Sequence, residues 1–315
     1  MEEDAGTTGA EAFSPAALRV LRRIGGTQVV DALAALGGSD FASVMLEVVR
    51  RRAARENPAG VLRRYRSDRF VRPAGATWQS LRRAEDMLFG SLPDGVDVLT
   101  LAPVVPLGTH SVLGTVSQHK VVTAVRACEV AADPTNALTL EAADRRSRAR
   151  DRTVRRAAVQ RVVRAQQFAS PGAFAHFSLF GMVTAGRDEG SYRFERSGVA
   201  EHVRWAASGL TAAGLRQVQV ALTPLSEAGN RIAAEVTGEL AAIPVEIVVD
   251  HQRQSGRGYY RDLCFKVNAQ VDGEPEEGGD GGFTDWTMRL AASAKERLLI
   301  SGIGVDRLAA LADRQ

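Results

Sequence analysis

The chain ends with "LLISGIGVDRLAALADRQ" (residues 298–315), and this stretch decides the fold. Its apolar start predicts a buried strand. Two small residues, Gly302 and Gly304, follow as a turn, and the pair Asp306-Arg307 opens a short amphipathic helix. The stretch therefore predicts a strand, a turn and a helix. A purely structural role for Arg307 at the start of a terminal helix stays open at this point.

The bulk composition is that of a water-soluble protein. The 315 residues are 45% hydrophobic and 24% charged, which is enough for one large core or two smaller ones. The net charge of +3 is weak evidence for a nucleic-acid partner. No apolar run is long enough to span a membrane. Cys128 and Cys264 lack metal-ligand spacing, so we expect reduced thiols in the cytoplasm. Abundant Arg and Ala are typical of a GC-rich bacterial genome.

The sequence divides into three parts. Residues 1–13 are acidic and rich in Gly and Thr, and we expect a flexible tail. Residues 14–75 predict a helical N-terminal region, which begins at a Ser14-Pro15 cap. Residues 76–315 form the remaining domain.

The second half of the chain is rich in strands. Three β-branched or alternating stretches, "RQVQVALTP" (216–224), "IPVEIVVDH" (243–251) and "GYYRDLCFKVNAQV" (258–271), predict strands, and "DGEPEEGGDGG" (272–282) predicts an acidic loop. Because few strands alternate with helices, the pattern favours an α+β fold. We expect a mainly antiparallel sheet flanked by helices, and not a doubly wound parallel sheet.

The most basic segment spans residues 145–164 and holds nine arginines. A stripe formed by Val154, Ala158 and Val162 predicts a helix there. The arginines have two interpretations, a solvated helix face or a surface that contacts phosphate or RNA.

The closing stretch resembles the third signature motif of class II aminoacyl-tRNA synthetases, in which the arginine contacts the phosphate tail of ATP. Glycines allow a nucleotide to approach the backbone, and a guanidinium offers paired donors to phosphate. "LRRAEDMLFGSLPDGVDVLTLAPVVP" (81–106) is similar to the first motif, which builds the dimer interface in that family. The resemblance covers about residues 78–312. It implies a class II synthetase-like fold, ATP and Mg²⁺ as cofactors, and a homodimer.

Other segments are similar to the histidyl-tRNA synthetase branch. "GYYRDLCFKV" resembles its paired-tyrosine strand through Tyr259 and Tyr260, and "GGFTDW" (281–286) resembles its Gly-Gly-x-x-Asp element. "ADPTNALTLEAA" is similar to the segment that holds the amino group of the substrate, which implies this role for Asp133 and Thr135. Because "DPTN" is also turn-prone, an Asx turn is the alternative for this pair.

The second motif departs from the family. When "LFGMVTAGRDEGSYRF" (179–194) is aligned on Gly181 as strand, loop and strand, Ala185 stands where the family has its α-phosphate arginine. Arg187 lies two residues later, and we expect it to take over this role. Arg187 and Arg307 should then converge on one cavity.

Histidine itself is a poor candidate for the substrate. Ser255 stands at the position of the histidine-specific arginine, and Arg257 lies two residues before the tyrosines. Arg196 stands near the position of the glutamine that contacts the imidazole. The resemblance therefore implies that Arg196, Arg257, Tyr259 and Tyr260 bind an anionic or carboxylate-bearing ligand.

Three functions stay open. We expect a stand-alone enzyme without an anticodon-binding domain, in which Arg187 and Arg307 support ATP-dependent formation of an acyl-adenylate from an amino acid or another carboxylate. The alternative is an inactive paralogue that acts as a ligand-binding regulatory subunit, like that of ATP phosphoribosyltransferase. RNA binding is the third. A protein carrier or tRNA could accept the acyl group, and the sequence leaves the metal ligands unassigned.

Overall fold

The computed structural model describes residues 13–166, 175–241, 243–256 and 258–314. The helices are α1 Pro15–Leu21, α2 Gln28–Ala34, α3 Gly38–Ala53, α4 Pro58–Ser67, α5 Trp78–Gly90, α6 Thr109–Val112, α7 Pro134–Arg148, α8 Arg193–Ala212, α9 Glu227–Leu240, α10 Trp286–Leu290 and α11 Val305–Ala312. The strands are β1 Asp97–Val98, β2 Val104–Pro106, β3 Thr123–Ala124, β4 Cys128–Val130, β5 Val154–Val163, β6 His176–Arg187, β7 Arg216–Pro224, β8 Glu246–Val249, β9 Arg261–Val271, β10 Glu274–Thr284 and β11 Glu296–Gly304. Among these described helices, none has the length and apolarity needed to cross a membrane.

The described residues form two compact units, of which the first comprises residues 13–61 with 125–127. Its described part is helical, as predicted, and α1 begins at the predicted cap, where the Ser14 hydroxyl accepts a hydrogen bond from the Ala17 amide at 3.2 Å. In this described part, Leu21 is the one buried side chain. The predicted domain boundary after residue 75 stays a prediction.

The second unit is built on an eight-stranded sheet with the order β1-β5-β6-β11-β10-β9-β7-β8. The five central pairings are antiparallel, and the two edge strands, β1 and β8, pair in parallel with their neighbours. The expectation of a mainly antiparallel sheet is confirmed, although the sheet is mixed. A second, three-stranded sheet has the order β2-β4-β3.

Alternation along the strands gives the large sheet two different faces. Phe180 and Met182 of β6 pack into a core with helices α5, α8, α9 and α11. We call this the helix-covered face. Val183 and Ala185 of the same strand point to the other side, where they pack with α7, Tyr260 and the residues around α10. We call this second side the α7 face.

Two segments of the sheet differ from the prediction. Residues 154–163 of the arginine-rich segment form strand β5 and not a helix, because Val154, Val159 and Val162 favour the sheet and β6 supplies a full-length partner. Residues 145–148 are the end of helix α7. The acidic "loop" is the central strand β10. Its glycines are required by packing, since a Cβ at Gly281 would lie 2.5 Å from the Phe265 ring.

The predicted second-motif hairpin is also shifted along the chain. The segment after Arg187 does not return as a strand but continues into helix α8. The hairpin adjacent to β11 is instead formed by β5 and β6. The prediction therefore placed the hairpin one strand too late in the chain. The cause is the same apolar, arginine-rich pattern that predicted a helix in place of β5.

Candidate functional site

The N-terminus of α7 lies on the α7 face of the sheet, directly above β6. The Asp133 carboxylate caps the helix, and its Oδ1 accepts hydrogen bonds from the Thr135 amide at 2.9 Å and the Thr135 hydroxyl at 2.7 Å. A Cβ at Gly181 would lie 2.9 Å from Pro134, so Gly181 permits this close approach. The Asx turn therefore exists, and it leaves Oδ2 of Asp133 for a different partner.

Arg164 supplies the partner of that second oxygen. It follows the last residue of β5, and its guanidinium donates to Asp133 Oδ2 at 3.3 Å and to the Ala132 carbonyl at 3.0 Å. The same guanidinium lies over the Phe177 ring, 5.1 Å from its centroid. Both ends of the ion pair are about one-third exposed, at 32% and 35%. The arginine is oriented, yet it remains accessible to a ligand.

A second carboxylate, Asp280, lies on β10 and is held by the buried Arg253. The Arg253 guanidinium donates to Asp280 at 3.0 Å and to the carbonyls of Ser255 and Phe265 at 2.8 and 3.1 Å. Burial raises the pKa of Asp280, and the Arg253 charge opposes that shift. Arg253 is thus the rigid support of Asp280, with its donors directed at protein oxygens.

The two predicted tyrosines line the same region. The rings of Tyr259 and Tyr260 are 4.3 Å apart, and Tyr259 stacks on Trp286 with centroids 6.2 Å apart. Burial raises the pKa of Tyr259 above its ordinary range, and the charges of Asp280 and Asp133 raise it further. Two carboxylates near these tyrosines form an environment that attracts an ammonium group.

The closing turn contributes to one end of this region. Gly302 pairs with Gly181 on one side and with Asp280 on the other, so it lies between α7 and the second carboxylate. Gly304 ends β11 and is the N-cap residue of α11. Arg307 lies in the first turn of α11, where its half-exposed guanidinium pairs with Glu276 at 3.2 Å.

The expectation that Arg187 and Arg307 share one cavity is wrong. In the β6–β11 pair, Arg187 lies opposite Glu296 and Leu179 lies opposite Gly304. Eight residues of extended chain separate these positions, a distance of about 26 Å. Arg187 is exposed at the opposite end of the sheet from α11.

Arg164 lies at the end of the sheet where Arg307 lies. Strands β5 and β11 both run antiparallel to β6, so their C-terminal ends meet at one edge. A contact confirms this: the Arg161 guanidinium near the end of β5 donates to Asp306 at 3.2 Å. Sequence reasoning missed Arg164 because β5 was taken for a helix. The signal that could have found it is the run of valines just before it.

Two further predicted site residues have other positions. Arg196 extends from α8 and pairs with Glu235 of α9, on the helix-covered face and across the sheet from Asp133. It cannot contact a ligand on the α7 face. Arg257 lies outside the described residues. Asp280 was hidden within the presumed loop, and its flanking glycines were the available signal.

The arginines of residues 145–164 are mostly neutralised within the protein. Seven of the nine pair with carboxylates, and these are Arg145, Arg146, Arg148, Arg155, Arg156, Arg161 and Arg164. The Arg146–Glu296 pair is buried. This arrangement favours structural and site roles for the segment over an RNA-contacting surface.

Metal binding by the protein alone has no support among the described residues, since no group of three or more His, Cys, Asp or Glu side chains is placed to hold an ion. Mg²⁺ that enters with nucleotide phosphates needs only one or two carboxylates from the protein. Glu276 and Glu277 of β10 lie near the Arg307 end of the sheet and offer such oxygens.

Comparison with known proteins gave matches at the level of structure. No protein-family model and no curated protein sequence matched. An ATP phosphoribosyltransferase regulatory subunit/histidyl-tRNA synthetase from Bacillus halodurans has 13% sequence identity and a TM-score of 0.57, over 77% of this chain and 83% of that one. The chain has the class II synthetase fold.

Two other solved structures support this assignment. A histidine–tRNA ligase subunit from Alicyclobacillus acidocaldarius is 14% identical, with a TM-score of 0.57 over 77% of this chain and 97% of that one. A pyrrolysyl-tRNA synthetase from Desulfitobacterium hafniense is 14% identical, with a TM-score of 0.50 over 87% and 80%. At these identities, the class II synthetase fold is what the comparisons establish.

Proposed function

We propose that the protein activates the carboxylate of an amino acid with ATP. The observation that carries the proposal is that the α7 face holds two carboxylates, Asp280 and Asp133, together with Arg164, which contacts Asp133. The acids would hold the ammonium of the substrate. Arg164 would then stand next to its carboxylate, where the adenylyl group must arrive.

The reaction requires positioning and charge stabilisation. A carboxylate oxygen of the substrate attacks the α-phosphorus of ATP, the bond to the β-phosphate breaks, and pyrophosphate leaves with the electron pair. Arg164 would stabilise the negative charge that develops on the α-phosphate oxygens. Arg307, at the same sheet end, would bind the phosphate tail. Mg²⁺, when bound with ATP, supplies further neutralisation of the phosphates, and Glu276 and Glu277 would be candidate acids to hold it.

The test is ATP–pyrophosphate exchange with a panel of amino acids. At least one amino acid should support exchange, and Asp133→Asn should raise the KM for that amino acid, because the ammonium loses a charged partner. Deaminated analogues of the same acid should not support exchange. Equal rates with the amino acid and its deaminated analogue would contradict the assignment of the two carboxylates.

A second candidate is a regulatory subunit that binds the amino acid without activating it. The observation in its favour is that Asp133 and the Ala132 carbonyl already engage Arg164, the group on which adenylate formation depends. A match to a regulatory subunit among the solved structures agrees with it. Amino-acid binding by calorimetry without any exchange would select this candidate.

We also propose that the protein is a homodimer, assembled through an open groove of about 500 Å³ between residues 99–106 and α7. The groove is lined by apolar side chains, including Leu99, Leu101, Val104 and Leu140, and β1 beside it is an edge strand. A second copy would cover both. Leu140→Glu should shift the mass measured by light scattering from dimer to monomer.

A further inference from the structure

Asp306, the acid that precedes Arg307, has contacts that reach beyond its own helix. Its Oδ2 accepts a hydrogen bond from the Ser178 amide of β6 at 2.7 Å, and its Oδ1 accepts one from the Arg161 guanidinium at 3.2 Å. The Asp306 side chain is only 14% exposed. One carboxylate therefore binds the first turn of α11 to both strands of the β5–β6 hairpin.

Arg161 is the centre of this arrangement. Besides Asp306, its guanidinium donates to His176 Nδ1 at 2.8 Å and to the Ser178 hydroxyl at 3.1 Å. His176 Nε2 contacts the Arg72 carbonyl, and both histidine contacts are satisfied when the proton is on Nε2. Arg161 thus has a fixed direction, defined by three side chains, two of them at the end of the hairpin where the chain passes from β5 to β6.

The positions of these two residues matter because of their neighbours. Asp306 is followed by Arg307, and Arg161 of β5 lies three residues before Arg164, which directly follows that strand. The pair therefore joins the helix that carries one phosphate-binding arginine to the strand that carries the other. A triphosphate chain that bridges Arg164 and Arg307 requires a fixed distance between them.

We propose that Asp306 and Arg161 are positioning residues, which hold Arg307 in register with Arg164 for one nucleotide. This inference rests on the proposed use of ATP. The nucleotide contacts Arg164 and Arg307, whereas Asp306 and Arg161 act through them and contact each other.

The test compares Arg161→Gln with Arg155→Gln, a matched control on the same strand. Arg155 has a similar exposure, 38% against 35%, and one carboxylate partner, Glu201 at 3.4 Å, near the other end of β5. In the exchange assay, Arg161→Gln should raise the KM for ATP about tenfold or more. The KM for the amino acid should stay within about twofold in the same variant, because the ammonium pocket is separate. Arg155→Gln should change neither constant, and Arg161→Lys should restore most of the ATP affinity.

The outcomes separate this inference from the proposed function. If both KM values and the melting temperature change together in Arg161→Gln, the role is merely structural and the inference fails. If the wild type shows no exchange, the proposed function fails, and ATP binding by calorimetry then judges the inference with the same three variants. Equal ATP affinity of Arg161→Gln and Arg155→Gln, or no ATP binding by the wild type, overturns it.

Discussion

Replacement of Arg164 by Ala tests which arginine stabilises the α-phosphate. The proposed site assigns this role to Arg164, whereas the sequence alignment assigned it to Arg187. Loss of a preorganised donor to a developing oxyanion typically costs about 3–4 kcal/mol of barrier. In the free protein Arg164 is paired with Asp133, and both side chains are about one-third exposed. A ligand that breaks this pair loses about 0–1 kcal/mol, which reduces the net contribution of Arg164 by the same amount. The remaining loss, about 2–4 kcal/mol, predicts a decrease in kcat of about thirty- to several-hundredfold.

The assay is steady-state ATP–pyrophosphate exchange with the amino acid that gives the highest wild-type rate, with Arg187→Ala as the control. Arg187 is exposed and about 26 Å along the strands from the Arg307 end, so its removal should leave kcat within about twofold of the wild type. Melting temperatures should agree among the three proteins. A large loss in Arg187→Ala together with full activity in Arg164→Ala would refute the placement of the site.

Three further predictions concern stability. Burial lowers the pKa of His202 from 6.5 to about 3, so the unfolded chain binds the proton first and stability falls as the pH drops below 6.5. Because of this group, the free energy of unfolding measured in urea should be about 2 kcal/mol lower at pH 5.0 than at pH 7.5. His202→Gln should remove that difference. Gly281→Ala should destabilise the protein by about 2 kcal/mol or more through its clash with Phe265. Gly238 lies in α9, and a Cβ added there would have no neighbouring atom within 4 Å. Gly238→Ala should therefore raise the free energy of unfolding by about 1 kcal/mol, as measured by the same unfolding curves.

The elements that could be predicted from sequence are those with one consistent local signal. The apolar run before Gly302 formed β11, and the amphipathic segment after it formed α11. β7, β8 and β9 followed from their β-branched residues. These elements, in that order, were enough to indicate the fold.

The failures occurred where tertiary contacts overrode a local signal. Gly281 and Gly282 indicate a loop when considered locally, but in β10 they are glycines because Phe265 and Tyr260 occupy the space of a Cβ. The apolar residues Val154, Ala158 and Val162 of β5 have helical spacing. Their strand conformation is decided by pairing with β6 and by contacts with distant parts of the chain, such as that of Arg161 with Asp306. No pattern within a short window contains that information.

The same contacts change the expected charge of the ligand. The sequence favoured an anionic substrate because Arg196 and Arg257 were expected to face it, but Arg196 lies on the helix-covered face, bound to Glu235. The charged groups that remain on the α7 face are the carboxylates of Asp133 and Asp280 and their partners Arg164 and Arg253. Arg253 is directed at Asp280 and backbone carbonyls, so it supports an acid and does not face a ligand.

A ligand that displaces the Arg164–Asp133 contact must satisfy both partners, because either charge left unpaired in a half-buried site is costly. A simple amine would neutralise Asp133 and leave Arg164 without an acceptor, and a simple carboxylate would do the reverse. A molecule with an ammonium and a carboxylate a few ångströms apart satisfies both at once. A zwitterion such as an α-amino acid would therefore match the charges of the α7 face, which is the ligand class of the proposed function.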